Sequence, residues 1–136
     1  MRVDYPDAEP NGLATMIGGL IEANVEANRG RARLLTPPAV VGIVARDAEV
    51  GCTVRLSPAG VTVTNGLVGH PAVVVRGDTE TLTELTTAPM RLGYPDALRP
   101  AGRAVVAKLL KGDLKVGGLV RHPALVSRLA RLLSVA

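Results

Sequence analysis

Phenylalanine and tryptophan are missing from this chain of 136 residues, and tyrosine occurs twice, at Tyr5 and Tyr94. Single-strand nucleic-acid binders and RNA-recognition sheets stack bases on aromatic rings, so this composition excludes the ordinary form of both. Cysteine occurs once, at Cys52, which removes an intrachain disulfide framework and any multi-cysteine metal site. No apolar run approaches the roughly 18 residues that a membrane-spanning helix needs, and the polar start MRVDYPDAEPNG is unlike a signal peptide. A cytoplasmic location is expected. The phosphate loop G-x-x-x-x-G-K-[ST] and the dinucleotide fingerprint G-x-G-x-x-G are absent despite fifteen glycines. His70 and His122 each precede proline, without zinc-type spacing or a nucleophile motif, and Cys52 falls on the apolar side of a strand pattern. No catalytic residue, metal or cofactor is expected, and the chain reads as a non-enzyme.

What is present is aliphatic. The hydrophobic share is 47%, almost wholly Ala, Val, Leu and Ile, in a length that suits one domain burying roughly two-thirds of its unfolded surface. Charge is divided unevenly. Residues 1–98 hold eight Arg against eleven acids, net −3, whereas residues 99–136 hold eight Lys or Arg against Asp113, net +7. Such an end suits phosphate, an anionic membrane surface or an acidic head group. Thirteen arginines to three lysines, with abundant Ala, Val and Gly, suggest a GC-rich bacterial genome.

After a loose start over residues 1–10, apolar residues at Leu13, Met16, Ile17, Leu20, Ile21 and Val25 predict a helix over 11–28, with Asn11 or Asp7 near its cap. AVVGIVARD, EVGCTVRLS and VTVTNG predict an antiparallel meander. Within it Val50, Cys52, Val54 and Leu56 alternate with polar or small residues, and Pro58 and Gly60 mark a tight turn. AVVVR, apolar on both faces, reads as a central strand leading into a helix capped by Asp78. Residues 86–100 predict no definite element. AGRAVVAKLLKG predicts a helix, DLKVG a short strand, and Leu125, Val126, Leu129, Leu132 and Leu133 the stripe of a closing helix that begins near His122 and Pro123. The sum is an α+β single domain over residues 1–136, a five-stranded, largely antiparallel sheet with helices on one face.

AGRAVVAKLLKGDLKVGGLVRHPALVSRLARLLSV, a helix, a G-x-L-x-V-x-G strand and an amphipathic helix, resembles the C-terminal signature of the sterol carrier protein family, the nonspecific lipid-transfer, type-2-like sterol-binding domain. VVVRGDTETLTEL is similar to that family's fourth strand and following helix. The likeness runs over about residues 12–135, as a stand-alone bacterial member. It implies an apolar tunnel between sheet and helices that binds or transfers a sterol, fatty acid, acyl-CoA or other lipid without chemistry. By position the tunnel wall would draw on Val54, Leu56, Val74 and Val116 from the sheet and Leu82, Leu85, Leu92, Val105, Leu109, Leu125, Leu129 and Leu132 from helices. Lys111, Lys115, Arg121, Arg128 and Arg131 would form a basic rim for a lipid head group or an anionic membrane surface. The peroxisomal S-K-L type ending of eukaryotic members has no counterpart in LSVA. Two alternatives keep the fold: an accessory module presenting a lipid-like intermediate to a partner enzyme, and a ligand-free protein-interaction domain. Nucleic acid is not an expected partner.

Overall fold

A computed structural model describes residues 1–87, 90–91, 94–95, 114–118 and 121–134, with backbone only for 84–87, 90–91 and 94–95. The elements run β1 (Val3–Asp4), α1 (Gly12–Ala27), a 3-10 segment (Arg29–Leu35), β2 (Ala39–Ala45), β3 (Val50–Ser57), β4 (Gly60–Asn65), β5 (Val73–Gly77) and α2 (Thr79–Thr87). Then follow β6 (Met90–Arg91), β7 (Tyr94–Pro95), β8 (Leu114–Gly117) and α3 (Pro123–Leu133). The predicted helix at 101–112 lies outside the described residues.

Among the described residues the main sheet has six strands, in the order β1-β4-β3-β2-β5-β8. The meander β2-β3-β4 is antiparallel as its alternation predicted, and β8 adds antiparallel to β5. Two pairings are parallel, β2 with β5 and β1 with β4. The sixth strand is Val3–Asp4, in the stretch expected to be loose. Two residues carry no readable alternation, so their pairing is decided by the edge of β4 that they meet. β6 and β7 pair as a minimal hairpin inside the stretch for which no element was predicted.

One face of this sheet is dry. Val41, Ile43 and Ala45 of β2, Cys52, Val54 and Leu56 of β3, Val61 and Val63 of β4, and Val73 and Val75 of β5 are all buried. They share a face because side chains alternate along each strand and register-paired residues point the same way. α1 lies over β3 and β4 and contributes Leu13, Ile17, Ile21 and Val25, the stripe read from sequence. Asn11 starts this helix: its Oδ1 accepts from the Ala14 N–H at 2.8 Å, and its amide donates to the Gly51 carbonyl at 3.0 Å. Cap and sheet are thereby joined. Gly18 leaves a gap on α1 in which the Tyr5 ring rests, so a β-carbon there would run into the phenol.

α3 packs on α1, α2 and the 3-10 segment. It buries Leu125, Leu129 and Leu132 and begins with Pro123 at its first turn, while His122 makes no side-chain cap bond. Polar latches fix its far end. Buried Asn24 donates to the Leu132 carbonyl at 2.8 Å, and Arg31 donates to the carbonyls of Arg131 and Ser134 at 3.2 and 2.6 Å.

Two tests follow from this packing. Replacing Asn24 by alanine leaves the Leu132 carbonyl short of its partner in an apolar layer, and is expected to cost about 1–3 kcal/mol in denaturant unfolding. Burial pushes the Cys52 thiol up from 9.0 to about 12. The native thiol is therefore expected to be inert to a thiol reagent at pH 8 and to react at the rate of unfolding. Because the unfolded thiol ionises first, the stability tied to the neutral form declines as pH rises from 9.0 toward about 12.

Candidate functional site

An apolar cleft of about 350 Å³ opens where the first turns of α1, the β2–β3 hairpin and the start of α2 converge. Gly12, Leu13 and Met16 come from α1, Ala45, Ala48 and Val50 from the hairpin, and Thr79 and Leu82 from α2. Its volume falls at the small end of the roughly 300–1,000 Å³ of small-molecule sites. Local chemistry holds its rim. Asp47 in the hairpin turn accepts the Thr79 N–H and the Thr79 hydroxyl through Oδ1, each at 2.9 Å. These bonds, the backbone N–H first, hold the Asp47 carboxyl below its ordinary range. The carboxylate that meets the Thr79 amide comes from the β2–β3 turn, while Asp78, the expected cap, accepts the Leu82 N–H through its carbonyl at 2.9 Å.

Among the described residues no lining side chain of this cleft is titratable, and the Thr79 hydroxyl is already engaged. Among the described residues no three His, Cys, Asp or Glu come together as a metal site. His70 and His122 are exposed and separate, and Cys52 is sealed in the core. The described lining of the cleft is aliphatic and holds no acid, base or nucleophile.

The expected wall residues divide. Leu82 lines the cleft. Val54, Leu56, Leu125, Leu129 and Leu132 are buried in the core between sheet and helices, and Val116 is half-buried against that core. Leu85 lies in the span of α2, while Leu92, Val105 and Leu109 lie outside the described residues. Val74 is a correction. Its register partners are Gly42 and Gly117, and its side chain packs near Gly42 on the outward face of the sheet, away from the helices. A strand apolar on both faces does not say which valine turns inward; the pairing of Val73 with Val41 decides it.

The basic residues do not gather into one rim either. Arg128 donates from Nε to the Leu34 carbonyl at 3.0 Å and from Nη2 to the Pro37 carbonyl at 2.6 Å, so its guanidinium is a structural latch, and partial burial lowers its pKa. Arg131 lines a second groove of about 470 Å³ between the 3-10 segment and the end of α3, with Arg31, Arg33, Asn28 and Ser134. That groove is the larger but polar, and Arg31 within it is committed to α3 carbonyls. Lys115 pairs in register with Arg76 on the outward sheet face, Arg121 is exposed before α3, and Lys111 lies outside the described residues. Leu13, Met16, Ala45, Ala48 and Val50 were not read as site residues. Leu13, Met16 and Val50 carry the same periodicity as core positions, and only the meeting of three elements exposes their flanks.

No protein-family profile matches the sequence, and no curated protein does. Solved structures do match. One, named UbiJ-SCP2 Ubiquinone synthesis protein, superposes with a TM-score of 0.61 over 89% of this chain and 92% of that chain, at 15% identity. A solution structure from Thermus thermophilus, a conserved hypothetical protein described as possibly sterol carrier protein, aligns over 99% of this chain and 97% of its own. Its TM-score is 0.43 at 11% identity. With its mixed sheet and one helical layer, this chain has the type-2 sterol-carrier-like fold.

Proposed function

We propose that the protein is a non-catalytic binder or carrier of an aliphatic ligand, a fatty acyl chain, sterol or other lipid, that enters the cleft between α1, the β2–β3 hairpin and α2. The observation that carries this reading is the composition of the cleft: apolar walls continuous with the interlayer core and, among the described residues, no titratable lining side chain. Binding there depends on removing methylenes from water. At about 0.8 kcal/mol each, ten would contribute about 8 kcal/mol before ordering costs. Leu82 at the cleft, with Leu125, Leu129 and Leu132 behind it, supplies the deeper apolar surface. The sterol-carrier-like fold supports the reading as an analogy of architecture.

A second reading is an accessory role, in which the chain presents a lipid-like intermediate such as a quinone precursor to a partner enzyme. Its support is the name of the structural neighbour, a ubiquinone synthesis protein. The two readings share the cleft and differ in the ligand.

Native mass spectrometry of the protein as purified from cells, followed by solvent extraction, is expected to find a stoichiometric aliphatic molecule. A prenylated phenol would select the accessory role, and a fatty acid or sterol the general carrier. Met16→Trp and Val50→Trp fill the cleft from two sides and are expected to weaken a fluorescent fatty-acid probe at least tenfold with the fold retained by circular dichroism. Val74→Ala, on the opposite face, is expected to leave the probe unaffected. Probe affinity unchanged in both tryptophan variants would overturn the assignment of the cleft.

A further inference from the structure

Antiparallel sheets with one covered face ordinarily turn polar residues to water on the other. Here β2 and β5 place Val40, Val44 and Val74 on the outward face, all half-buried. The connection from β4 to β5, residues 66–72, crosses over them because β5 joins the far side of β2. Thr53 pins this loop: its hydroxyl donates to the Gly66 carbonyl at 2.7 Å and accepts from the Val68 N–H at 2.9 Å. Leu67 reaches toward Gly42, where a β-carbon would come within 2.6 Å of Leu67 Cδ2. Even so, Leu67 is 44% and Val68 49% exposed, and with Met1 they are the exposed large hydrophobics among the described residues. Gly66 and Gly69, both with φ of +70°, turn the chain on either side of the pair.

The same face presents cations around that tip. Arg55 lies beside Val40, and Arg76 stands between Val44 and Lys115 in register; all three are exposed. Among the described strand residues, the acid on this face is Asp4 at the β1 edge, and Arg2 pairs with it at 2.9 Å. Asp47 and Glu49 sit beyond the strand ends, in the β2–β3 turn.

We propose that this outward face docks on the surface of an anionic lipid bilayer, with Leu67 and Val68 entering the boundary between head groups and acyl chains while Arg55, Arg76 and Lys115 meet lipid phosphates. A two-residue apolar tip on a face that carries three exposed cations matches the chemistry of that interface. It is a poor match to a stable protein interface, which wants roughly 800 Å² per partner and aromatic anchors that the described residues of this face do not supply. The surface lies across the sheet from the cleft, so membrane docking and ligand binding have separate readouts.

The test is co-sedimentation of the full chain with phosphatidylcholine vesicles, with and without phosphatidylglycerol, at low and high salt. Binding is expected only to the anionic vesicles, and to weaken with salt. Val68→Asp, at an exposed position, is expected to reduce it at least tenfold. Arg76→Ala with Lys115→Ala is expected to reduce it about 25-fold, from about fivefold per basic residue. Arg33→Ala with Arg131→Ala, on the helical side, is expected to leave it unchanged. No binding of the native chain to anionic vesicles at low salt overturns the proposal, as does loss of binding only in the Arg33 and Arg131 pair. A chain that ignores vesicles but forms a dimer broken by Val68→Asp overturns it in favour of a protein contact.

Discussion

Among the described residues, helices cover one face of the sheet, and the described elements are arranged around that constraint. Buried valines with Leu56 and Ile43 of β2 to β5 form a continuous apolar floor, and α1 is the element laid directly on β3 and β4. At roughly 25 cal/mol per Å² of apolar surface removed from water, this contact supplies the main driving force of the fold. It also needs close approach. Gly18 lets the Tyr5 ring lie against α1, and Asn11 ties the start of that helix to the β3 backbone at Gly51.

α3 is held differently, and its basic character has a structural use. Its stripe of Leu125, Leu129 and Leu132 meets α1, α2 and the 3-10 segment. Around that stripe, side chains reach in both directions: Asn24 and Arg31 to carbonyls at the end of α3, and Arg128 from α3 to carbonyls of Leu34 and Pro37. A guanidinium presents several donors and no acceptor, so it suits a place where chain ends leave carbonyls without partners. Charge counted along the chain had suggested a rim for a ligand. In space, one of those arginines is a bolt between two segments.

Covering one face leaves, among the described residues, two places where apolar surface remains available. At the rim of the helical layer, α1, α2 and the hairpin do not close on one another, and the cleft results. On the opposite face, the β4–β5 crossover must pass over β3 and β2, and it carries Leu67 and Val68 outward as it does so. The described lining of the first is uncharged, as the proposed ligand site requires. The second shares its face with exposed Arg55, Arg76 and Lys115, as the proposed docking requires.

Periodicity in the sequence determined much of the local structure. The α1 stripe, the antiparallel meander, the strand-to-helix passage at Gly77–Thr79 and the stripe of α3 were all legible, because a dry floor demands period two in strands and a near-3.6 period in helices. The scarcity of aromatics, a lone cysteine in an apolar alternation, and scattered histidines likewise argued against several chemistries from the sequence alone. Pairing partners were not legible. That Val3–Asp4 forms an edge strand, that β5 runs parallel to β2, and that Val74 faces outward depend on contacts between residues far apart in the chain. The placement of each charge was hidden for the same reason: Arg128 meets Leu34 and Pro37, and Asp47 meets Thr79, only after the layers assemble. An apolar residue reads alike in one dimension whether it fills a core, lines a cleft or meets a membrane. Tertiary structure separates these roles because each is set by which neighbours exclude water from it.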